Sequence, residues 1–446
     1  MIHSDSNRRD FIKTASAGGL GAGLIGADSF LYEDSQQRAR PPQNARIRIT
    51  DIKVAVIGNS PVVRIKTDAG IDGLGQVETS KSYLKFHILF YKDYLIGEDP
   101  TNVERCMMKI RRAGSFKPWG SAVSAIEFAL WDIAGKAANL PVYKLMGGKV
   151  RDHVRAYNGS VRVPMNGNTA KDYYDWAVGI RNLAEGFTIV KTGLGFHGAQ
   201  RSMPAFHYGN LSPSQSVRNF ANYTRAPMTE YGMKLIVEAV AAIKEGLGDR
   251  IGLAIDCGPG NFLSDAIRLA NALEPFNLMW LEDALTGDYF PYVMADDYLE
   301  LTRSTTVPIH TGEQIYLRQH FRELINKNAI RVVGPDPADV GGIAELKWIA
   351  EYADLHSIFM APHGTFDGLI GNAAQVMVGA AMPENYIAFE YCRPAQDWWY
   401  EIIDGLPSPL VKDGLIEVWD RPGLGVTFNT RAARQYLSEE DKDFFD

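Results

Sequence analysis

The part of the chain that precedes residue 150 first alternates apolar and polar positions and then changes to helical spacing. Alternating runs at residues 52–57 and 62–66 are separated by Asn59-Ser60-Pro61, which predicts an antiparallel meander. Over residues 103–140 apolar residues recur at the spacing of a helix. The pattern therefore predicts a separate α+β domain over residues 46–150.

From residue 151 onward, short apolar runs are each followed by a stretch at helical spacing. Eight runs predict strands at residues 154–157, 187–191, 251–256, 278–282, 307–313, 330–334, 358–362 and 386–390. Strands that alternate with helices pair in parallel, and eight of them in a segment of this size favour a closed barrel over an open sheet. The expected fold class is α/β, with a (β/α)8 barrel at residues 151–392.

One interruption breaks this rhythm between the second and third predicted strands. The gap is rich in Gly, Ser, Asn and aromatic residues and predicts an insertion over about residues 194–232. A long irregular segment in a compact domain is typical of an active-site lid, so we expect it to cover the barrel mouth.

Ionisable residues stand at or just beyond the ends of successive predicted strands. They are Asp256, Glu282, Glu313, Asp336, His363 and Glu390. The carboxyl ends of parallel barrel strands surround one mouth, where barrel active sites lie. The same residues placed in helices would have indicated a solvated surface; at strand ends they predict an active site.

Three consecutive carboxylates in this series predict a metal site. Asp256, Glu282 and Glu313 would lie too close together to ionise unless a cation separates them. Oxygen ligands favour a hard ion, and three protein ligands leave octahedral positions for water and substrate, as Mg²⁺ prefers. A capping or salt-bridge role suits any one of these acids alone, but the set of three favours magnesium.

The next two positions in the series predict a base and its partner. A proton next to a carboxylate is a very weak acid, so its removal needs fixed positive charge as well as a base. The unperturbed pKa of histidine is near neutrality, which suits His363 as a base, and Asp336 is placed to hold its ring and favour the imidazolium. These residues predict metal-assisted abstraction of a proton next to a carboxylate.

Composition and charge narrow the range of partners. The formal net charge is -7 and no basic run is present that would neutralise phosphates, so we expect no nucleic-acid partner. After the N-terminal segment no stretch approaches a membrane span. The cysteines Cys106, Cys257 and Cys392 match no metal-binding pattern, and an odd number cannot complete a disulfide framework, so we interpret them as packing residues.

The first 45 residues predict an export signal followed by a linker. The run Asn7-Arg8-Arg9-Asp10-Phe11-Ile12-Lys13 precedes an Ala/Gly-rich, weakly apolar stretch, which resembles a twin-arginine signal. A disordered basic start is the alternative interpretation. The signal predicts an exported, periplasmic protein, and since this route carries folded proteins, it suits an enzyme that acquires its metal inside the cell.

Four longer motifs carry a family resemblance. They are AIEFALWDIAGK at residues 125–136, LMGGKVRD at residues 145–152, Pro335-Asp336 with Gly341-Gly342, and PGLGV at residues 422–426. In these motifs the chain resembles the enolase superfamily, in the branch of mandelate racemase and muconate-lactonising enzyme. The resemblance extends over nearly all of residues 47–426.

This resemblance implies roles for the site residues and an arrangement of the domains. It implies that Asp256, Glu282 and Glu313 bind Mg²⁺ and that His363 with Asp336 is a general acid/base. For Glu390, where the pattern alone gives only a position, it implies a hydrogen bond to the substrate carboxylate or enolate oxygen. It also implies that residues 393–446 return to an N-terminal capping domain, whose loops select the substrate, and that the protein is a homo-oligomer.

The sequence departs from the family at the second predicted strand. Many relatives carry Lys-x-Lys there, with the second lysine as a base on the face opposite the histidine, whereas this chain has Lys191-Thr192-Gly193. Lys191 remains available to direct positive charge toward the substrate carboxylate, but Gly193 cannot move a proton. Inversion needs proton transfer on both faces, so racemisation through that lysine is disfavoured.

Elimination remains the leading interpretation, as the dehydration of a sugar acid to a 2-keto-3-deoxy acid. Some related dehydratases place an acidic histidine two residues after the first ligand, where this chain has Gly258. The acid would then be His363 itself in a syn elimination, or His197 or His207 from the insertion. An epimerase, racemase or cycloisomerase with a proton carrier from the insertion is the nearest alternative, and a non-catalytic binding protein is a third.

Overall fold

The computed structural model describes most of the chain beyond residue 45. The described residues are 46–113, 120–159, 161–194, 205–208, 227–258, 260–285, 294–364, 366, 368–394 and 396–446. The predicted signal and linker lie outside them, as do most of the predicted insertion and its His197. Within the described part, no helix is both long enough and apolar enough to cross a membrane.

The N-terminal region is a three-stranded antiparallel sheet covered by helices. Its elements are β1 (Ile49–Ile57), β2 (Ser60–Thr67), β3 (Gly73–Gln76), α1 (Leu84–Phe90), α2 (Lys92–Leu95), α3 (Val103–Ala113), α4 (Gly120–Ala138) and α5 (Val142–Leu145). Strand β2 pairs with both neighbours, so the predicted meander is confirmed. The helical run predicted over residues 103–140 is two helices, α3 and α4, and residues 114–119 between them lie outside the described part.

Two glycines of β3 allow helix α4 to lie directly on the sheet. A Cβ at Gly73 would collide with the backbone oxygen of Ala129, and one at Gly75 would collide with that of Ala125. With no side chain on the strand at these two positions, the backbones of the strand and the helix approach closely. The sheet and α4 therefore form a tightly packed layer beside the barrel.

The second region contains eight parallel strands, with a helix between each consecutive pair. The strands are β4 (His153–Asn158), β5 (Ile189–Gly193), β6 (Gly252–Asp256), β7 (Trp280–Glu282), β8 (Ile309–Thr311), β9 (Val332–Val333), β10 (Phe359–Met360) and β11 (Phe389–Tyr391). The helices are α6 (Ala170–Arg181), α7 (Glu230–Leu247), α8 (Leu263–Leu273), α9 (Ala295–Arg303), α10 (Arg318–Asn326), α11 (Ile343–Asp354) and α12 (Leu369–Ala381). All eight predicted strands are present.

The strand order makes a ring. Neighbours in sequence pair from β4 through β10, and β11 pairs with β4. Backbone hydrogen bonds from Ile387 N to Met360 O (2.8 Å) and from Glu390 N to Pro362 O (2.9 Å) join the β11 segment to the β10 segment. The fold is therefore an α/β barrel with an N-terminal α+β domain.

Alternation along the strands separates an outer core from an inner one. In β6, Leu253 and Ile255 belong to the large core beneath the helices, while Ala254 belongs to a small cluster inside the ring. The other inner residues are Tyr157, Ile189, Trp280, Val332, Ala361 and Ala388. Successive strand side chains point to opposite faces, so this cluster fixes which positions face the barrel axis.

The C-terminal residues return to the first sheet. After the barrel come α13 (Trp399–Ile402), β12 (Ile403–Asp404), β13 (Leu415–Glu417), β14 (Thr427–Phe428) and α14 (Thr430–Ala433). Asp441 then accepts a hydrogen bond from Val56 N at 2.9 Å, and Arg64 Nη1 donates to the oxygen of Phe444 at 2.8 Å. These bonds fasten the end of the chain to β1 and β2.

Candidate active site

The polar residues of the mouth occupy the inward positions just above the apolar inner layer. Lys191, Asp256, Glu282, His363 and Glu390 each lie two residues after a member of that layer. Because the strand period is two, each of these side chains faces the same way as the apolar residue beneath it. The strand pattern thus gathers five of the residues singled out from the sequence at one end of the barrel.

Glu313 reaches the mouth by a different route. It follows β8, where His310 holds an inward position, so regular alternation would turn Glu313 away from the axis. Gly312 lies between them with a φ of 143°, a conformation that residues with a Cβ rarely adopt. The break in alternation brings Glu313 Oε2 to 3.2 Å from His363 Nε2.

His363 and Asp336 form the predicted pair. His363 Nδ1 lies 2.6 Å from Asp336 Oδ2, and Asp336 Oδ1 also accepts a hydrogen bond from Ala338 N at 2.5 Å. Burial opposes a charge on His363, but Glu313, Glu390 and the hydrogen bond with Asp336 outweigh it and raise the pKa of His363 well above its usual value. With Nδ1 held by Asp336, Nε2 is the nitrogen directed into the mouth.

Glu390 is a point at which three donors meet. Its Oε2 lies 3.0 Å from Lys191 Nζ, 3.3 Å from the Tyr157 hydroxyl and 3.4 Å from His363 Nε2. Its Oε1 lies against Gly159, where a Cβ would collide with it. The glycine leaves the space in which this carboxylate sits beside His363.

Lys191 supplies a buried positive charge between two carboxylates. Its Nζ donates to Glu282 Oε1 and also contacts Glu390, and the lysine is only 5% exposed. Burial opposes its charge, but Glu282 and Glu390 hold its pKa well above the usual value. Lys191 therefore stays protonated and balances the negative charge of the mouth.

Asp256 is held by the backbone that follows it. Its Oδ1 accepts a hydrogen bond from Gly258 N at 2.8 Å, and in the strand register Asp256 lies directly beside Glu282. Gly258 is the position at which some relatives carry an acidic histidine. In this chain that position contributes a backbone N–H to the carboxylate.

The donor set fits a hard divalent cation in atom type and charge, since it consists of carboxylate oxygens on neighbouring strands. Among the described residues, however, no three His, Cys, Asp or Glu side chains converge as a ready metal site. Lys191 instead contacts Glu282, and His363 contacts Glu313. Metal binding would require these two cationic side chains to give up part of their contact with the carboxylates.

His207 has its own surroundings in the described part of the insertion. It forms an antiparallel bridge with Met228, and its ring lies 4.7 Å from that of Phe206. Burial lowers the pKa of His207, and the negative charge of Asp265 opposes this shift. No hydrogen bond joins it to the His363–Asp336 pair within the described residues, and its predicted role remains a prediction.

The α+β domain reaches the site region through α4. Glu127 Oε2 and Oε1 accept hydrogen bonds from Ile343 N and Ala344 N, each at 2.9 Å. Ser124 Oγ accepts from Gly341 N at 3.1 Å. These bonds cap the start of α11, which immediately follows the turn that carries Asp336.

A second motif residue joins three parts of the chain. Asp132 Oδ2 accepts from Leu74 N at 3.0 Å, and its Oδ1 accepts from Leu424 N at 2.8 Å. A Cβ at Gly423 would collide with the same carboxylate. The motifs at residues 125–136 and 422–426 therefore meet at one buried hydrogen-bonded contact.

Sequence reasoning missed an aromatic layer beneath the polar one. Trp280 Nε1 donates to Glu282 Oε2 at 2.8 Å, and the Tyr157 hydroxyl donates to Glu390. His310 Nε2 lies 3.0 Å from the oxygen of Ala361, and its Nδ1 lies 3.4 Å from Glu282 Oε2. Trp280, two residues before Glu282 on the same strand, is the one of the three that a sequence signal could have marked; Tyr157 and His310 are followed two positions later by Gly159 and Gly312.

Comparison with known families agrees with this geometry. Residues 179–433 match the model of the enolase C-terminal domain-like family, and residues 19–147 match the N-terminal domain of mandelate racemase and muconate lactonizing enzyme. The chain belongs to the mandelate racemase and muconate-lactonizing enzyme branch of the enolase superfamily. The resemblance inferred from the four motifs is confirmed.

Other members of the enolase superfamily match this protein over most of its length. It is 32% identical to D-xylonate dehydratase of Haloferax volcanii, over 89% of this chain and 90% of that protein. It is 28% identical to D-galactonate dehydratase of Verminephrobacter eiseniae, over 82% and 88%. A solved structure of a mandelate racemase/muconate lactonizing enzyme-like protein from Rubrobacter xylanophilus is 31% identical, covers 89% of this chain and 99% of its own, and superposes with a TM-score of 0.75.

Proposed function

We propose that this protein is a Mg²⁺-dependent hydro-lyase that converts a sugar acid into a 2-keto-3-deoxy acid. One observation carries the proposal: a buried histidine and aspartate pair directs a single nitrogen, His363 Nε2, into a mouth lined by carboxylates and a lysine. Gly193 stands where a second base would be needed. The D-xylonate and D-galactonate dehydratases among the relatives support the same reaction class.

Asp256, Glu282 and Glu313 are the residues that would hold the metal. Bound there, Mg²⁺ supplies positive charge that offsets the surrounding carboxylates and stabilises the enolate of the substrate. Lys191 adds a second, permanent positive charge beside Glu282 and Glu390. Removal of the weakly acidic proton next to the substrate carboxylate requires fixed positive charge, which these two groups would supply.

The first step of the proposed reaction is abstraction of the proton on C2, next to the substrate carboxylate. His363 Nε2 takes this proton, and the electron pair of the C–H bond is delocalised into the carboxylate to form the enolate. Asp336 accepts the hydrogen bond from Nδ1–H and stabilises the imidazolium that results. Glu390 lies beside Nε2 and would form a hydrogen bond with the carboxylate or enolate oxygen of the substrate.

The second step is departure of the hydroxyl on C3. The imidazolium of His363 returns a proton to this hydroxyl, which leaves as water while the electron pair of the enolate forms the C2–C3 double bond. The enol then takes up a proton at C3 and becomes the 2-keto-3-deoxy acid. This syn course uses one residue as base and acid, which suits a site whose described residues place one histidine at the mouth beside the carboxylates.

The N-terminal segment supports a further part of the proposal. Its paired arginines and weakly apolar stretch favour export through the twin-arginine route and action in the periplasm. Fusion of residues 1–45 to a reporter that works only outside the cytoplasm tests it, with Arg8→Lys and Arg9→Lys together as the control. A reporter signal that survives this double substitution would contradict it.

A substrate screen tests the proposed reaction. The purified protein, with Mg²⁺ and with EDTA, is incubated with aldonic, aldaric and uronic acids, and semicarbazide traps any 2-keto product. The proposal expects keto-acid formation from at least one acid, dependent on Mg²⁺ and lost in His363→Ala. If no acid yields a keto product while solvent deuterium enters an unconverted acid, the enzyme is an isomerase instead.

A further inference from the structure

The aromatic layer beneath the mouth holds one of the proposed metal ligands. Trp280 and Glu282 lie two residues apart on β7, so both face the barrel axis. The indole Nε1 donates to Glu282 Oε2 at 2.8 Å, and neither residue is exposed to solvent. Such a hydrogen bond to a carboxylate is strengthened by its charge and by burial.

The indole ring has little freedom to turn. His310 stacks on it, with centroids 5.2 Å apart and ring planes inclined by 21°, and Tyr157 meets it edge-on at 5.3 Å. His310 is itself fixed by Ala361 O at 3.0 Å and by Gly334, where a Cβ would collide with its ring. The N–H of Trp280 is therefore held in one direction by packing.

The two oxygens of Glu282 have partners of different kinds. Oε2 accepts from an indole N–H, which is neutral and does not dissociate, whereas Oε1 accepts from the cationic Lys191. Lys191 lies on β5, so its contact with Glu282 on β7 passes over β6, which carries Asp256. Oε1 is thus the oxygen on the side of the neighbouring ligand, and a cation can replace the lysine contact there.

We infer that Trp280 is a positioning residue for metal binding. By holding Oε2, it keeps the Glu282 carboxylate in the orientation that presents Oε1 to a divalent cation beside Asp256. Hydrogen-bond partners that orient ligating carboxylates change metal affinity when they are removed. The inference rests on the proposed function, because it takes Glu282 as a Mg²⁺ ligand.

The test is the affinity of Mg²⁺ for the full-length protein without substrate, measured by titration calorimetry. Trp280→Phe keeps an aromatic ring and deletes the N–H, and we expect its Kd to rise roughly 10- to 100-fold. Tyr157→Phe is the matched control, since it removes a buried hydroxyl that contacts Glu390 and leaves Glu282 untouched; its Kd should equal that of the wild type. Trp280→Met, with a flexible side chain that fills irregular spaces, replaces the phenylalanine variant if that variant fails to fold.

The same substitution made in a Glu282→Gln protein separates a positioning role of Trp280 from a general structural effect. In Glu282→Gln the ligand is already impaired, so adding Trp280→Phe should weaken Mg²⁺ binding no further. Equal Mg²⁺ affinity of Trp280→Phe and wild type would overturn the inference alone, as would full additivity with Glu282→Gln. A wild-type protein that binds no Mg²⁺ would overturn the proposed function, and the inference with it.

Discussion

His363 Nδ1 is held 2.6 Å from the carboxylate of Asp336, which no solvent reaches. The aspartate thereby fixes the ring and determines which nitrogen faces the mouth. Asp336 is in turn held by the turn that follows it, where Ala338 N donates to its other oxygen. The geometry of the base therefore depends on a carboxylate that has no direct access to substrate.

Asp336→Asn is expected to abolish most activity while preserving the fold. The amide can donate to Nδ1, which places the proton on Nε2 and removes the base, and it no longer stabilises the imidazolium. We expect kcat to fall about 10²- to 10⁴-fold, measured as keto-acid formation. Asp354→Asn, at an exposed position, is the control, and activity of Asp336→Asn close to that of this control would contradict the assigned role.

Lys191→Met is expected to make stability depend more strongly on metal. Without the lysine, Glu282 and Glu390 face each other without their buried cation, which should cost about 3 to 5 kcal/mol of unfolding free energy in EDTA. Mg²⁺ replaces part of the lost charge, so its stabilising shift of Tm should exceed that of the wild type. Lys234→Met, whose lysine is exposed, serves as control; identical Tm shifts in all three proteins would argue against a shared cation site.

Gly159→Ala is expected to impair the reaction more than the fold. Its methyl group would collide with Glu390 Oε1 and push the carboxylate away from His363 and Lys191. A displacement of this kind should lower kcat/KM by roughly 100-fold. Gly379→Ala crowds Val154 in the outer core instead and should destabilise the protein with little effect on kcat/KM; equal kinetic losses in both variants would contradict the placement of Glu390.

Glu127 predicts a pH effect on stability. Burial raises its pKa to about 8, although Ala344 N, Ile343 N and Trp131 Nε1 donate to it and oppose the shift. The pKa of Glu127 is higher in the folded state than in the unfolded state. Its stabilising contribution to the unfolding free energy is therefore fully present below about pH 4.5 and is lost as pH rises through 8. The unfolding free energy of the wild type relative to Glu127→Gln should therefore fall by on the order of 5 kcal/mol over that range, in denaturant titrations at several pH values. Parallel pH profiles for the two proteins would show that Glu127 does not titrate in this way.

The strand pattern predicted the ring of strands and the acids at its mouth, because both follow from the alternation of side chains along parallel strands. Apolar runs marked β4 to β11, and an acid or base two residues beyond an inward apolar residue must face the same axis. Glu313 follows no such rule, since its placement depends on the backbone of Gly312. Like the other residues of the series, it was identified from its place at a strand end, and that signal does not show the break in alternation.

The sequence pattern did not predict contacts between distant parts of the chain. The motif residues Glu127 and Asp132 were recognised by their resemblance, but their partners, Ile343 and Leu424, lie about 200 to 300 residues away and become visible only in the fold. Trp280 and Tyr157 read as ordinary apolar strand residues, because a periodic pattern does not show where a polar atom at the end of an aromatic ring is directed. The insertion lacks periodicity, so the sequence predicts a segment over the mouth and candidate histidines in it, but not which of its residues contact the site.

The most direct test of the central claim follows the fate of the hydrogen on C2. With a sugar acid identified by the screen, the 2-deuterated acid and the ordinary acid are compared in turnover with Mg²⁺, and the product formed in deuterated water is analysed by NMR. Abstraction by His363 predicts slower turnover of the deuterated acid and solvent deuterium at C3 of the 2-keto-3-deoxy product, with both signals lost in His363→Ala. Unchanged turnover in His363→Ala, or a product that retains deuterium at C2, would contradict the account.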